Sequence, residues 1–427
     1  MHSIKDKLYS LKNKADHHQP QAPINVPSEN DGSASDSEKD IVTPVAEVVQ
    51  QHSDPALLAI TQHSIDVFLA SAQPNGEIGG IGYWQTANGY TAIALHEQWS
   101  HPKQRQQNMN YLCRALDSVR SHHRDFINEF NDDTLWWGNC LLDVYSLSPN
   151  PEYLEIATRL HAHVSRSVLA EGKHSVNGQD MKGGVMWTTR PGEDQVNSIT
   201  TGLYAEVSAR LSLLAHEAQR KKHLLSQAQS SLDWILRCRY RRTEALVLDT
   251  IKLKTRECVD WTFTYTTGQA MAACTAIHHA LSSLDHCSPH NDDVLEHACA
   301  MARKSMIRPG WVDASSGILT EAGTYSRANH EAWRNDDAVG FKSVLLRSLA
   351  RLYDCLSTRE HYQQEEDDLR DRIKEFVETQ FRAQQERNTN ARGQYGPWWD
   401  GPMDLPTSHS QMAVLDVMAA VQLVRRR

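Results

Sequence analysis

The 427-residue chain contains no run of 18 apolar residues, so no segment of it is suited to the hydrocarbon layer of a membrane. It also has little basic excess: 44 Lys plus Arg stand against 53 Asp plus Glu, and a formal net charge of -9 provides no field for a phosphate backbone. Membranes and nucleic acids are therefore excluded as partners. The eight cysteines (113, 140, 238, 258, 274, 287, 299 and 355) form no C-x-x-C pair and have no histidine at zinc spacing, which excludes a metal ribbon. The N-terminus lacks the continuous apolar stretch of a secretory leader: Ile4, Leu8 and Leu11 share one helical face among four lysines, and a short surface helix is expected. The resulting expectation is a cytoplasmic protein with free thiols, with a non-standard route of secretion as the alternative. Phenylalanine is scarce too, 7 residues against 11 Trp, so indole is used for more than filling a core.

Residues 15–53 are rich in Pro, Ser, Gln and acid and nearly devoid of large apolar side chains, which predicts a disordered N-terminal tail over 1–53. The folded domain, 54–427, is expected to open at Asp54-Pro55, an N-cap followed by Pro at the first helical position. From there the apolar period is helical in twelve windows, near 55–72, 86–99, 103–128, 133–147, 151–170 and 196–216, then 219–240, 265–284, 292–306, 336–356, 359–388 and 408–424. The best strand-like segment is Ala245 to Ile251, in a long connection.

The connections alternate in kind. Every even-numbered helix is entered through an aromatic-rich segment, in order GGIGYWQTANGY, NDDTLWWGN, KGGVMWTTRPGEDQVN, VDWTFTYTTGQ, NHEAWRNDDAVGF and YGPWWDGPMD. In a ring of six antiparallel helix pairs all these entries fall at one end, so the pattern predicts an all-α (α/α)6 barrel, a six-hairpin toroid with one cleft. A helical solenoid would need a fixed repeat, and the rim tryptophans 84, 137, 187, 261, 333 and 399 are unevenly spaced. Indole faces pack on the C–H faces of sugar rings, and acids and amides beside them bind hydroxyls. The expected partner is thus an oligo- or polysaccharide, although any single rim Trp could instead cap the core.

Glycoside cleavage requires two carboxyl groups. Asn-Asp-Asp occurs three times. Asn291-Asp292-Asp293 follows a plain polar turn and is expected to be an N-cap. Asp132 and Asp133 directly precede Thr134-Leu135-Trp136-Trp137 at an even-helix entry, and Asp336 and Asp337 share that placement beside Trp333 and Phe341. Consecutive side chains at a helix entry diverge by roughly 100° while their heads stay about 5 Å apart, the separation of a retaining pair. At an effective dielectric near 20 two such charges repel by about 3 kcal/mol, enough to keep one protonated near neutrality when burial assists. An N-cap with a dipole-stabilised second acid is the structural alternative.

The segments GYWQTAN (82–88), FINEFNDDTLWWGNCLLDVY (126–145), GGVMW (183–187), NSITTGLYAEVSARL (197–211), FTYTTGQAMAA (263–273), DDAVGFKSVLLRSLARLY (336–353) and YGPWWDGP resemble, in order, the landmarks of glycoside hydrolase family 76. The resemblance spans about 55–424, and Asp-Asp followed by Trp-Trp is its most specific element. It implies an (α/α)6 barrel and metal-free, cofactor-free, endo-acting hydrolysis of α-1,6-linked mannose with retention. It also implies Asp132 as nucleophile and Asp133 as general acid/base, with Trp84, Asn88, Trp137, Tyr265, Asp337 and Trp399 on rim segments that line sugar subsites. Thr266-Thr267 stands where the family usually has Asn-Gln, and Ser343 where it has Gly, so hydroxyls replace two amides. A non-catalytic carbohydrate-binding barrel and a mannan transglycosylase are the alternatives. The His pairs at 17–18, 122–123 and 278–279 are adjacent and diverge on a helix. Only His330 lies in a rim segment, which argues against the paired-histidine chemistry of barrel-type sugar epimerases.

Overall fold

The computed structural model describes residues 54–100, 107–284, 289–327, 337–358 and 364–426. The N-terminal tail with its expected surface helix and His17-His18, and the rim residues His330, Trp333 and Asp336, lie outside the described residues.

Among the described residues there are twelve α-helices. The outer set is α1 (Pro55–Leu69), α3 (Met109–His122), α5 (Pro151–Val164), α7 (Ala218–Cys238), α9 (Pro289–Ser305) and α11 (Gln364–Arg387). The inner set is α2 (Tyr83–Trp99), α4 (Asn131–Leu147), α6 (Ser198–Leu214), α8 (Thr264–Ser282), α10 (Ala338–Ser357) and α12 (Ser408–Arg426). Each inner helix packs on the next and α12 packs on α2, closing the ring of an (α/α)6 barrel.

The two sets differ in sequence as their positions demand. An outer helix such as α3 buries one stripe, Met109, Leu112, Leu116 and Val119, and turns its remaining face to water. Inner helices are covered all round: in α8 nearly every residue from Thr264 to Ala280 is buried. Small residues let them approach, and a Cβ on Gly268 would lie 2.8 Å from the Leu345 backbone of α10. The start at Asp54-Pro55 is as expected, the Asp54 carboxylate accepting from Ala56 N at 3.0 Å and Leu57 N at 3.3 Å.

Three local expectations are corrected. The helix expected to reach 128 stops at His122, because Asp125 (φ 57°) and Phe126 (φ 65°) turn left-handed and bring the Phe126 ring 5.1 Å from that of Trp137. Among the described residues the short strands are β1 (Ser175–Val176), β2 (Gln179–Asp180), β3 (Gln195–Asn197), β4 (Tyr240–Arg241), β5 (Leu246–Val247), β6 (Thr250–Lys252) and β7 (Glu257–Val259), and the single strand expected over 245–251 is two of them, β5 and β6, in different sheets. The Asn291 triplet lies inside the first turn of α9, which already starts at Pro289, rather than capping it.

Two features bear on the site. An antiparallel sheet of β3 (Gln195–Asn197), β6 and β7 (Glu257–Val259), with Asn197 opposite Thr250, ties the connection entering α6 to the one entering α8. Down the barrel axis runs a polar network to which every inner helix contributes. Arg347 grips Asp416 through Nε at 2.8 Å and Nη2 at 2.7 Å, and donates from Nη1 to Asn88 Oδ1 at 2.7 Å. Arg210 and Arg351 both hold Asp143, while Asn139 and Gln269 donate to Glu206. Burial pushes the Asp143 carboxyl up, but the two guanidiniums win and hold it below its usual value. At Asp416 burial wins over Arg347 and the carboxyl is raised.

Candidate active site

The first turn of α4 is anchored before its acids are placed. Asn131 donates from its backbone to Trp187 O and from Nδ2 to Met186 O, each at 2.8 Å, and Thr134 Oγ1 accepts from Asn128 N at 3.0 Å. This locks the helix entry to the 183–197 connection. Asp132 and Asp133 follow, 5% and 7% exposed, in the positive end of the helix dipole. Asp132 Oδ1 accepts from Asp133 N at 2.9 Å, and Oδ2 accepts from the Trp187 indole at 3.0 Å. With both oxygens oriented, the Asp132 carboxylate is fixed in direction.

Asp337, at the N-cap position of α10, comes from the far side of the ring. Its Oδ1 accepts from Trp84 Nε1 at 2.9 Å and from Gln85 Nε2 at 3.0 Å, both on α2. Tyr265, on the first turn of α8, stacks on Phe341 with centroids 4.0 Å apart. Burial raises its phenol well above the ordinary range, and Asp249, Asp132 and Asp337 add to the shift, so its hydroxyl lies in the field of all three carboxylates. Tyr83 stands in the same relation to Asp133: burial first, then Asp133 and Glu77, pushes its phenol up. The Trp84 and Trp136 rings lie 6.1 Å apart at the same rim.

The structure thus brings together Asp132, Asp133, Asp337, Tyr265 and Trp84. It corrects three other expectations. Asn88 is buried in the axis, its amide spent on Arg347 and on the Trp84 carbonyl at 2.9 Å, and it offers nothing to a ligand. Trp137 is fully buried among Tyr83, Tyr90 and Phe126, and Trp399 is fully buried beneath the Lys342 ammonium, 5.4 Å from its ring centre. Both indoles fill the core. Two of the hydroxyls at positions that depart from the family pattern also face the scaffold: Thr267 Oγ1 accepts from Val247 N at 3.1 Å, and Ser343 Oγ donates to Gly340 O at 2.9 Å.

Two site residues were not singled out from sequence. Trp187 sits in a quoted rim segment, but its bond to Asp132 depends on the folded connection. Asp249 lies between β5 and β6, buried, with Oδ2 accepting from Thr250 Oγ1 at 3.1 Å and its carbonyl capping Ser198 N at 2.9 Å. Burial lifts its carboxyl to about 6, opposed by Thr250 and Arg239 and reinforced by the negative charge of Asp132.

A ring of six inner helices with carboxylates, phenols and indoles gathered where their N-termini meet defines a barrel-type carbohydrate enzyme. The glycosyl hydrolase family 76 model matches residues 64–426, and the chain belongs to that family of glycoside hydrolases. Solved structures share its fold. An inactive variant of the α-1,6-mannanase of Salegentibacter sp. HEL1_6, in complex with α-1,6-mannotriose, is 18% identical over 86% of this chain and 99% of that one, with a TM-score of 0.69. A family 76 mannosidase of Bacteroides thetaiotaomicron is 14% identical over 87% and 99%, TM-score 0.64. Dfg5 from Chaetomium thermophilum, in complex with glucosamine, is 12% identical over 89% and 92%, TM-score 0.62. No curated protein matches the chain.

Proposed function

We propose that the chain is a retaining, endo-acting hydrolase of α-1,6-linked mannan. The observation that carries this reading is the adjacent pair Asp132 and Asp133, buried at one helix entry with Asp132 oriented by the Trp187 indole. Asp132 attacks the anomeric carbon as the glycosidic C–O bond breaks and Asp133 gives its proton to the departing oxygen. A mannosyl ester on Asp132 results. Water then attacks the same carbon, Asp133 takes its proton, and Asp132 leaves as carboxylate. Tyr265, Asp249 and Asp337 supply hydroxyl-binding groups around that carbon, and the Trp84 indole orients Asp337. In support, the mannotriose-bound Salegentibacter mannanase is made inactive by changing two consecutive aspartates to asparagine.

The test is product analysis on linear α-1,6, α-1,2 and α-1,3 mannosides, with the anomer followed by NMR. Internal cleavage of the α-1,6 series with the α-anomer formed first is expected. Initial release of the β-anomer would sink retention, and cleavage confined to another linkage would sink the substrate assignment.

A further inference from the structure

The first turn of α8 is capped in an unusual way. Its N-cap residue, Phe263, has no side-chain acceptor, whereas α6 is capped locally by Asn197, which accepts from Thr200 N at 3.1 Å. Phe263 cannot be exchanged for such a residue without loss, since its ring packs against Tyr265 at 5.7 Å and Phe341 at 5.3 Å. The acceptor comes instead from a distant loop: Glu321 takes Thr264 N on Oε1 and Thr264 Oγ1 on Oε2, both at 2.7 Å. Glu321 is fully buried, with φ 49°, and its backbone is tied to Trp311 O and Tyr325 N.

Burial lifts the Glu321 carboxyl to about 7, opposed first by the two Thr264 bonds and then by the field of Lys342, which is equally buried on α10. Lys342 is itself seated by Pro397 O at 3.2 Å and by the rings of Tyr325 and Trp399 at 5.8 and 5.4 Å. Thr264 and Lys342 are the chain neighbours of Tyr265 and Phe341, the stacked pair at the rim. The aromatic stack joins the entries of α8 and α10, and the Glu321 bonds join the entry of α8 to the 311–325 connection.

We propose that Glu321 is a positioning residue: its paired bonds to Thr264 form a buried strut that fixes the first turn of α8 to the 311–325 connection and so sets where Tyr265 meets the sugar. This rests on the reading of the rim as a mannoside site. Local helix capping alone would make the same hydrogen bonds but would leave substrate turnover untouched.

The experiment combines amide hydrogen exchange with steady-state kinetics on full-length Glu321→Gln. Exchange at 264–267 is expected to rise at least about tenfold while the other inner helices keep their protection, and kcat/KM for α-1,6-mannotetraose to fall by about tenfold or more, mostly through KM. Unaltered exchange at 264–267, or faster exchange with kcat/KM within about twofold of wild type, overturns the proposal. Should Glu321→Gln lose protection throughout, Glu321→Asp, which keeps the charge but retracts it, is read by the same two criteria. If the wild-type chain turns over no α-mannoside, the reading of the site fails by itself, and exchange alone then decides the strut.

Discussion

The barrel axis and the rim both bury carboxylates, but they satisfy them differently. In the axis Asp143, Glu206 and Asp416 lie against Arg210, Arg347 and Arg351, and the closest contacts are charge-assisted bonds at 2.7 Å. At the rim Asp132 accepts from an indole and a backbone amide, Asp337 from an indole and a side-chain amide, and Asp249 from a hydroxyl. A guanidinium neutralises a carboxylate and removes it from chemistry, whereas a neutral donor fixes its direction and leaves its charge available. Acids in the axis therefore hold the ring together, and the proposed function assigns attack and proton exchange to acids at the rim.

Four substitutions test that division. Asp132→Asn should lower mannoside turnover on the order of 10⁴-fold while leaving the urea unfolding midpoint unchanged or higher, since a buried like charge is removed. A matching loss of stability would mean the rim acid is structural. Arg347→Met leaves Asp416 buried without its partner and should cost about 3–5 kcal/mol by urea unfolding, with kcat of the folded fraction retained. Full stability with abolished kcat would erase the distinction from the other side. Asp249→Asn addresses pH. Its folded pKa is raised from 3.8 to about 6, so the stability it contributes is complete below pH 3.8 and lost as pH rises through 6. The wild type should then lose up to roughly 3 kcal/mol more than the variant between pH 4 and 7, as read by denaturant unfolding at both values. The smallest effect is expected for Trp187→Phe, which keeps the ring's bulk but deletes the donor to Asp132. A fall of roughly 10- to 100-fold in kcat/KM corresponds to one hydrogen bond to a charged group, and unchanged kinetics would show that the indole only packs.

Much of this was legible in the chain itself because the signals are local. The Asp54-Pro55 start, the alternation of plain and aromatic-rich connections, and the Asp132-Asp133-Thr134-Leu135-Trp136-Trp137 run all act within a few residues of one another. The misses have a common cause. Trp137 lies on a helix buried on all sides, so no hydrophobic stripe separates a core indole from one at the rim. Asn88 resembles a ligand-binding amide until Arg347, 259 residues further on, takes its oxygen. Glu321 reaches Thr264 across 57 residues, and Asp249 is a lone acid in an apolar segment that only strand pairing brings beside Asn197 and Ser198.

The sequence alone determined the helices, their alternation and the adjacent carboxylate pair at the entry of α4, because periodicity, capping and adjacency are properties of a short stretch of chain. Tertiary structure decided which polar side chains serve the axis, which serve the rim and which indoles serve the core. Those assignments depend on the partner each group meets when the ring closes, and a buried polar group takes its role from that partner.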